Sequence, residues 1–184
     1  MIHSIKPGIQ VVGIDDRVHQ RGDEKTKLAF IFCAGIKLER FLQAEIDVDG
    51  LNATSRVIDT LEPHKEYYRI ILTHGITCGG LNMFDITKIH DALGVPVIAV
   101  TENEPKEGAL EEAIVHLPDI RARKEILAKS GNLESVQTDA GKNKVYFHVI
   151  GMPVTLAKQY LKKFAVRSRL PECLLLAHII ATGL

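Results

Sequence analysis

Apolar residues along the chain fall first into short continuous runs, then into a helical period, and then switch between the two. IQVVGID (9–15) is short, β-branched and stopped by carboxylates, the pattern of a buried strand. The polar stretch RVHQRGDEKTK divides it from a second continuous run, LAFIFCAGI (28–36). RFLQAEIDVDG (40–50) then alternates polar and apolar residues into Val48, as a strand with one wetter face does. The link Gly35-Ile36-Lys37 is short enough for an antiparallel hairpin, with the first strand alongside.

After Asp49-Gly50 the period becomes helical, with Leu51, Val57, Ile58 and Leu61 recurring until Pro63. YYRIILTHG (67–75) is a strand again and runs into the glycine-rich turn GITCGGLN. Asn82 is placed to cap the next helix, MFDITKIHDAL, whose Phe84, Ile86, Ile89 and Leu93 form an apolar face stopped by Gly94. VPVIAVT (95–101) follows as a buried strand, so 67–101 is a β–α–β unit with a parallel pair and a right-handed crossover. A helix after Pro105, a second around DIRARKEILAKS, and the polar stretch GNLESVQTDAGKNK with a turn at AGKNK (140–144) come next. VYFHVIG reads as a sixth strand at a sheet edge, and VTLAKQYLKKFAV and PECLLLAHIIATGL as two closing helices, the latter with Pro171 near its first turn.

Three strands able to pair antiparallel, followed by helix–strand–helix–strand, is the order of an α/β ribonuclease-H-like fold: a mixed sheet flanked by helices. A Rossmann-like sheet is the rival, weakened by the early hairpin and by the lack of GxGxxG after the first strand. At 184 residues with no repeat and no linker, the chain 1–184 reads as a single domain.

Composition narrows the partners. The 23 basic and 23 acidic residues cancel, which argues against nucleic-acid binding driven by net charge and leaves room for a local basic patch. Three cysteines without a CxxC pair point away from a disulfide framework or a zinc site and toward a reducing, cytoplasmic setting. No apolar run reaches the roughly 20 residues that span a bilayer.

Several polar residues interrupt this apolar frame where chemistry is expected. Asp15 and Asp16 sit at adjacent strand-end positions and point to opposite faces, so one of them at most faces a central site. Asp47 and Asp49 share a side and could join Asp15 around a cation, or Asp49-Gly50 is simply a turn. His74 leaves the fourth strand where open α/β sheets bind ligands, and is open to a metal or phosphate role or to that of a loop histidine. GITCGG (75–80) offers clustered N–H groups but lacks the P-loop pattern, and Asp85 suits a helix N-terminus. Lys158, Lys162, Lys163, Arg167 and Arg169 make a basic helix that is either a phosphate contact or, the favoured reading, a solvated face. His178 reads as a hydrogen-bonded core or interface histidine, and Leu174 and Leu175 as apolar surface for a homodimer.

GIDD (13–16), IDVDGLNAT (46–54), ILTHGITCGGLNMFDI (71–86), LGVPVIAV (93–100) and RLPECLLLAHIIA (169–181), in this order and spacing, resemble a mainly archaeal family, the UPF0215 proteins. That family is a remote relative of endonuclease V. The likeness runs from about residue 8 to the C-terminus. It implies a nuclease-type fold and a Mg²⁺- or Mn²⁺-dependent enzyme acting on RNA or DNA. Asp15 matches the catalytic Asp of endonuclease V's first strand. Thr73 falls at the Asp of its next parallel strand, and Met152 at its catalytic His. Asp47 and Asp49 are the acidic residues nearest to a further catalytic Glu. The resemblance at Asp15, taken with the strand positions of Asp47, Asp49 and His74, gives Asp15, Asp49 and His74 as catalytic candidates and Asp15, Asp47 and Asp49 as metal ligands, in an altered active site. The alternative is a non-catalytic module binding nucleic acid or protein.

Overall fold

The computed structural model describes residues 2, 4–138 and 144–184. Among the described residues, nine strands and six α-helices follow one another as β1 Gln10–Asp16, β2 Lys25–Ala34, β3 Lys37–Asp47, α1 Ala53–Leu61, β4 Ile70–His74, β5 Thr77–Cys78, β6 Asn82–Met83, α2 Ile86–Leu93, β7 Val97–Thr101, α3 Ala109–Ile114, α4 Ile120–Lys129, β8 Glu134–Gln137, β9 Lys144–Ile150, α5 Val154–Phe164 and α6 Glu172–Thr182. Seven strands form one mixed sheet in the order β3-β2-β1-β4-β7-β9-β8, and β5 and β6 pair as a small separate hairpin. β1, β4 and β7 are parallel, while β2, β3, β9 and β8 pair antiparallel. This is the ribonuclease-H-like arrangement.

Period-two alternation sorts the strands' side chains onto two cores. Val11, Ile31, Leu72, Val100 and Phe147 meet α5 and α6 on one face. Val12, Phe30, Ile71, Val97 and Ala99 meet α1 and α2 on the other. The three cysteines are buried and free. Among the described residues, no helix is long and apolar enough to cross a membrane.

Three local expectations change. VYFHVIG is not at an edge: β9 lies between β7 and β8, and β8 falls in the stretch that reads as polar because Val136 is its one buried residue. The turn at AGKNK lies, up to the start of β9 at Lys144, outside the described residues. Asn82 does not cap α2, since Asp85 does so by accepting from the Lys88 N–H at 2.9 Å. Asn82 reaches across to α1, its Oδ1 accepting from the Ala53 N–H at 3.1 Å while its Nδ2 donates to the Asp47 carbonyl at 2.8 Å.

Candidate metal centre

Alternation along β1 sends Asp15 toward the face covered by α6 and Asp16 to the opposite face. At Gly13, two residues before Asp15, a Cβ would stand 2.5 Å from the Cys173 carbonyl oxygen of α6. Strand and helix therefore touch backbone to backbone. From that point Asp15 lies about 7 Å along the strand, and His178, five residues on, lies about 7.5 Å along the helix. The two meet. β4 runs parallel to β1 with Thr73 opposite Ile14, so His74 comes alongside Asp15 on the same face. Thr73, set at a catalytic Asp by the resemblance, is buried on the other face and donates to the Gly75 carbonyl at 2.7 Å. Replacing Gly13 with alanine is expected to force α6 off β1, costing about 1–3 kcal/mol and weakening any ligand bound between Asp15 and His178. Urea unfolding and metal titration of Gly13→Ala check both effects.

Asp15 is 4% exposed. Its Oδ2 accepts from His74 Nδ1 at 3.0 Å and from His178 Nδ1 at 2.8 Å, and its Oδ1 accepts from the Asp16 N–H at 2.9 Å. The imidazoles meet edge to face, centroids 5.4 Å apart. One donor atom from each of Asp15, His74 and His178 lies within 4.8 Å of the others, so the group could hold a metal ion. Its donor set is one carboxylate oxygen and two imidazole nitrogens. Such a mixed set fits Mn²⁺ and later first-row cations better than Mg²⁺, which takes oxygen ligands and keeps its waters.

Burial works against a charged His74 ring, but the hydrogen bond and charge of Asp15, helped by Glu102 and Asp16, outweigh it and hold its proton above the ordinary imidazole range. For Asp16, burial pushes the carboxyl up, the Gly79 N–H at 3.0 Å pulls it back in part, and the Asp15 charge raises it further. A raised His74 pKa binds protons more tightly in the folded state than in the unfolded one. Its contribution to stability is complete below the unfolded value of about 6.5 and disappears as pH climbs through the folded value. In metal-free protein, the stability advantage of wild type over Asp15→Asn should therefore shrink on going from slightly acid to slightly alkaline pH. Chemical denaturation across that window measures it.

The other acidic candidates stand elsewhere. Asp47 Oδ2 accepts from Asn52 Nδ2 at 3.0 Å. Asp49 has a left-handed backbone (φ 56°), and its Oδ1 accepts from the Leu81 N–H at 2.8 Å. The Asp15 cluster contains neither. Met152 is half-buried against the α5–α6 core. Much of the basic helix is engaged locally: Lys158 with Glu134 at 2.9 Å, Lys163 with the Ile5 carbonyl, Arg167 with Glu172, and Arg169 with Glu102. Leu174 is fully buried and Leu175 packs on the same core, so the first does not supply surface for a homodimer.

His178 differs most from its reading as a core or interface histidine, being half exposed at the sheet's end and bonded to Asp15. The sequence did carry a signal. Leu174, Ala177 and Ala181 are the buried stripe of α6, and His178 stands one helical turn beyond Leu174 on that side.

The fold is of nuclease type, and the cluster lies at the carboxyl ends of β1 and β4. The family model described as "Endonuclease dU" matches residues 7–184, and the chain belongs to that family. It is 35% identical over 185 residues to a UPF0215 protein of Methanopyrus kandleri, covering 99% of this chain and 94% of that one. A protein of unknown function from Archaeoglobus fulgidus superposes with a TM-score of 0.85 at 26% identity, over 95% of this chain and 97% of that one. Ciona intestinalis endonuclease V, in complex with DNA containing an inosine, gives a TM-score of 0.61 at 12% identity, over 97% of this chain and 86% of that one. At that identity the likeness is one of fold.

Proposed function

We propose that this protein is a divalent-metal-dependent endonuclease that cuts DNA containing deoxyuridine. The observation that carries the reading is the convergence of Asp15, His74 and His178 within 4.8 Å, in a chain of the Endonuclease dU family. The oxygen of Asp15 and one nitrogen from each histidine would hold the cation. A bound cation supplies Lewis acidity toward a phosphate oxygen and lowers the pKa of a bound water. The protein holds these donors in place before any ion arrives. The Asp16 N–H fixes the Asp15 carboxylate, and the close approach at Gly13 fixes α6 and with it His178. Each ring turns Nδ1 to Asp15, so a cation bound through those nitrogens replaces the two hydrogen bonds, with the ring proton carried on Nε2. The mixed donor set makes Mn²⁺ the preferred ion over Mg²⁺.

The test is cleavage of an oligonucleotide carrying a single deoxyuridine beside its thymidine counterpart. Only the uracil strand should be cut, chelation should abolish the cutting, and Mn²⁺ should restore it at lower concentration than Mg²⁺. Failure to cut the uracil strand, or cutting that ignores the chelator, would overturn the reading.

A further inference from the structure

Beyond His74 the chain turns away from the metal cluster and lines a separate cavity of about 440 Å³, within the range of small-ligand sites (about 300–1,000 Å³). Gly75, the residue after His74, is part of its wall, together with Thr77, Ala99, Thr101, Leu127 and His148. The wall is mostly apolar, with Lys106, Glu107 and Glu111 as its charged members. His148 is the informative residue. β9 pairs with β7 so that His148 stands opposite Ala99. Its Nδ1 lies 3.1 Å from the Gly131 carbonyl oxygen, which can only accept. In the neutral ring the proton is therefore on Nδ1, leaving Nε2 with a lone pair and no hydrogen.

An acceptor fixed in this way selects for an N–H donor. Uracil has one at N3, between its two carbonyls, whereas cytosine has an unprotonated nitrogen there. Chemistry or readout on a base inside a duplex requires it to leave the stack and enter a pocket that reads its Watson–Crick edge. We propose that this cavity receives the uracil base and that His148 Nε2 accepts its N3–H, rejecting cytosine by setting lone pair against lone pair. The proposal rests on the deoxyuridine reading above and adds the residue that sets its discrimination against cytosine. Thr77 stands on the same wall and offers a hydroxyl for a carbonyl oxygen. His148 is not part of the metal cluster, so its replacement leaves cation binding intact.

The experiment measures cleavage of single-stranded oligonucleotides with one deoxyuridine, N3-methyldeoxyuridine or deoxycytidine, by wild type and by His148→Leu and His148→Gln. Wild type should cut the N3-methyl and cytosine strands about ten- to a hundredfold more slowly than the uracil strand, the effect of one unmade buried hydrogen bond. His148→Leu should lose most of the uracil-over-cytosine preference while binding Mn²⁺ as before, and His148→Gln, whose amide oxygen can accept, should recover part of it. N3-methyluracil cut as fast as uracil overturns the assignment using unaltered protein, whatever the variants' folding. So does full discrimination by His148→Leu. In both cases uracil cleavage itself persists and the parent reading stands, whereas a wild type that leaves the uracil strand intact removes the parent reading and this one together.

Discussion

Asp15→Asn should abolish measurable Mn²⁺ binding and slow cleavage of uracil-containing DNA by about a hundred- to a thousandfold, the scale on which a metal's charge stabilisation acts. The reason is the charge count. Of the three clustered side chains, only Asp15 brings a negative charge, since histidines bind metals as neutral rings. Asparagine keeps the shape and one acceptor oxygen, and so preserves packing beneath α6 while removing the charge. Calorimetric titration with Mn²⁺, paired with a denaturation curve of the metal-free variant, separates loss of the ion from loss of the fold. Undiminished affinity in a folded Asp15→Asn protein would move the centre away from β1.

The second large effect concerns stability. Arg123 on α4 is 1% exposed, and its guanidinium donates to the carbonyls of Asp49, Gly50 and Leu81. One planar group thereby ties α4 to the turn after β3 and to the β5–β6 hairpin, in a geometry that the smaller, point-like ammonium of lysine does not reproduce. Arg123→Ala leaves three carbonyls without their charged donor and opens a void, for an expected loss of about 3–5 kcal/mol. Arg123→Lys should recover only part of it. The same turn carries Asp49, whose N–H donates to the Gly79 carbonyl, while the Gly79 N–H holds Asp16. The variant is therefore also expected to loosen the strand ends around Asp15 and Asp16. Urea unfolding gives the energy, and hydrogen exchange at Gly79 and Leu81 reports the loosening.

What the sequence made legible divides along physical lines. Continuous apolar runs and clean alternation placed β1, β2, β3, β4 and β7, because burial on one or both faces writes itself into the order of residues. β8 was invisible since an edge strand with one buried side chain leaves no period to read. The candidate site depended on the same distinction. Asp15 and His74 could be proposed from strand ends, where local position implies location. For His178 the sequence marked the buried side of α6 but not the partner, because its meeting with Asp15 is created by the approach of α6 to β1 at Gly13 across 163 residues of chain. Asn82 illustrates the converse: a good local cap for α2 served α1 instead, since the β5–β6 hairpin brought it there.

That long-range closure has a consequence for synthesis. α6 comes after β1 and β4 in the chain, so until a ribosome has made it the emerging sheet holds Asp15 and His74 without a third donor. Closing so long a loop is entropically unfavourable, and a cation bridging β1 and α6 would act as a clasp on that closure. Until that docking Asp15 and His74 lack their third partner, so tight cation binding would arrive only as α6 closes on β1.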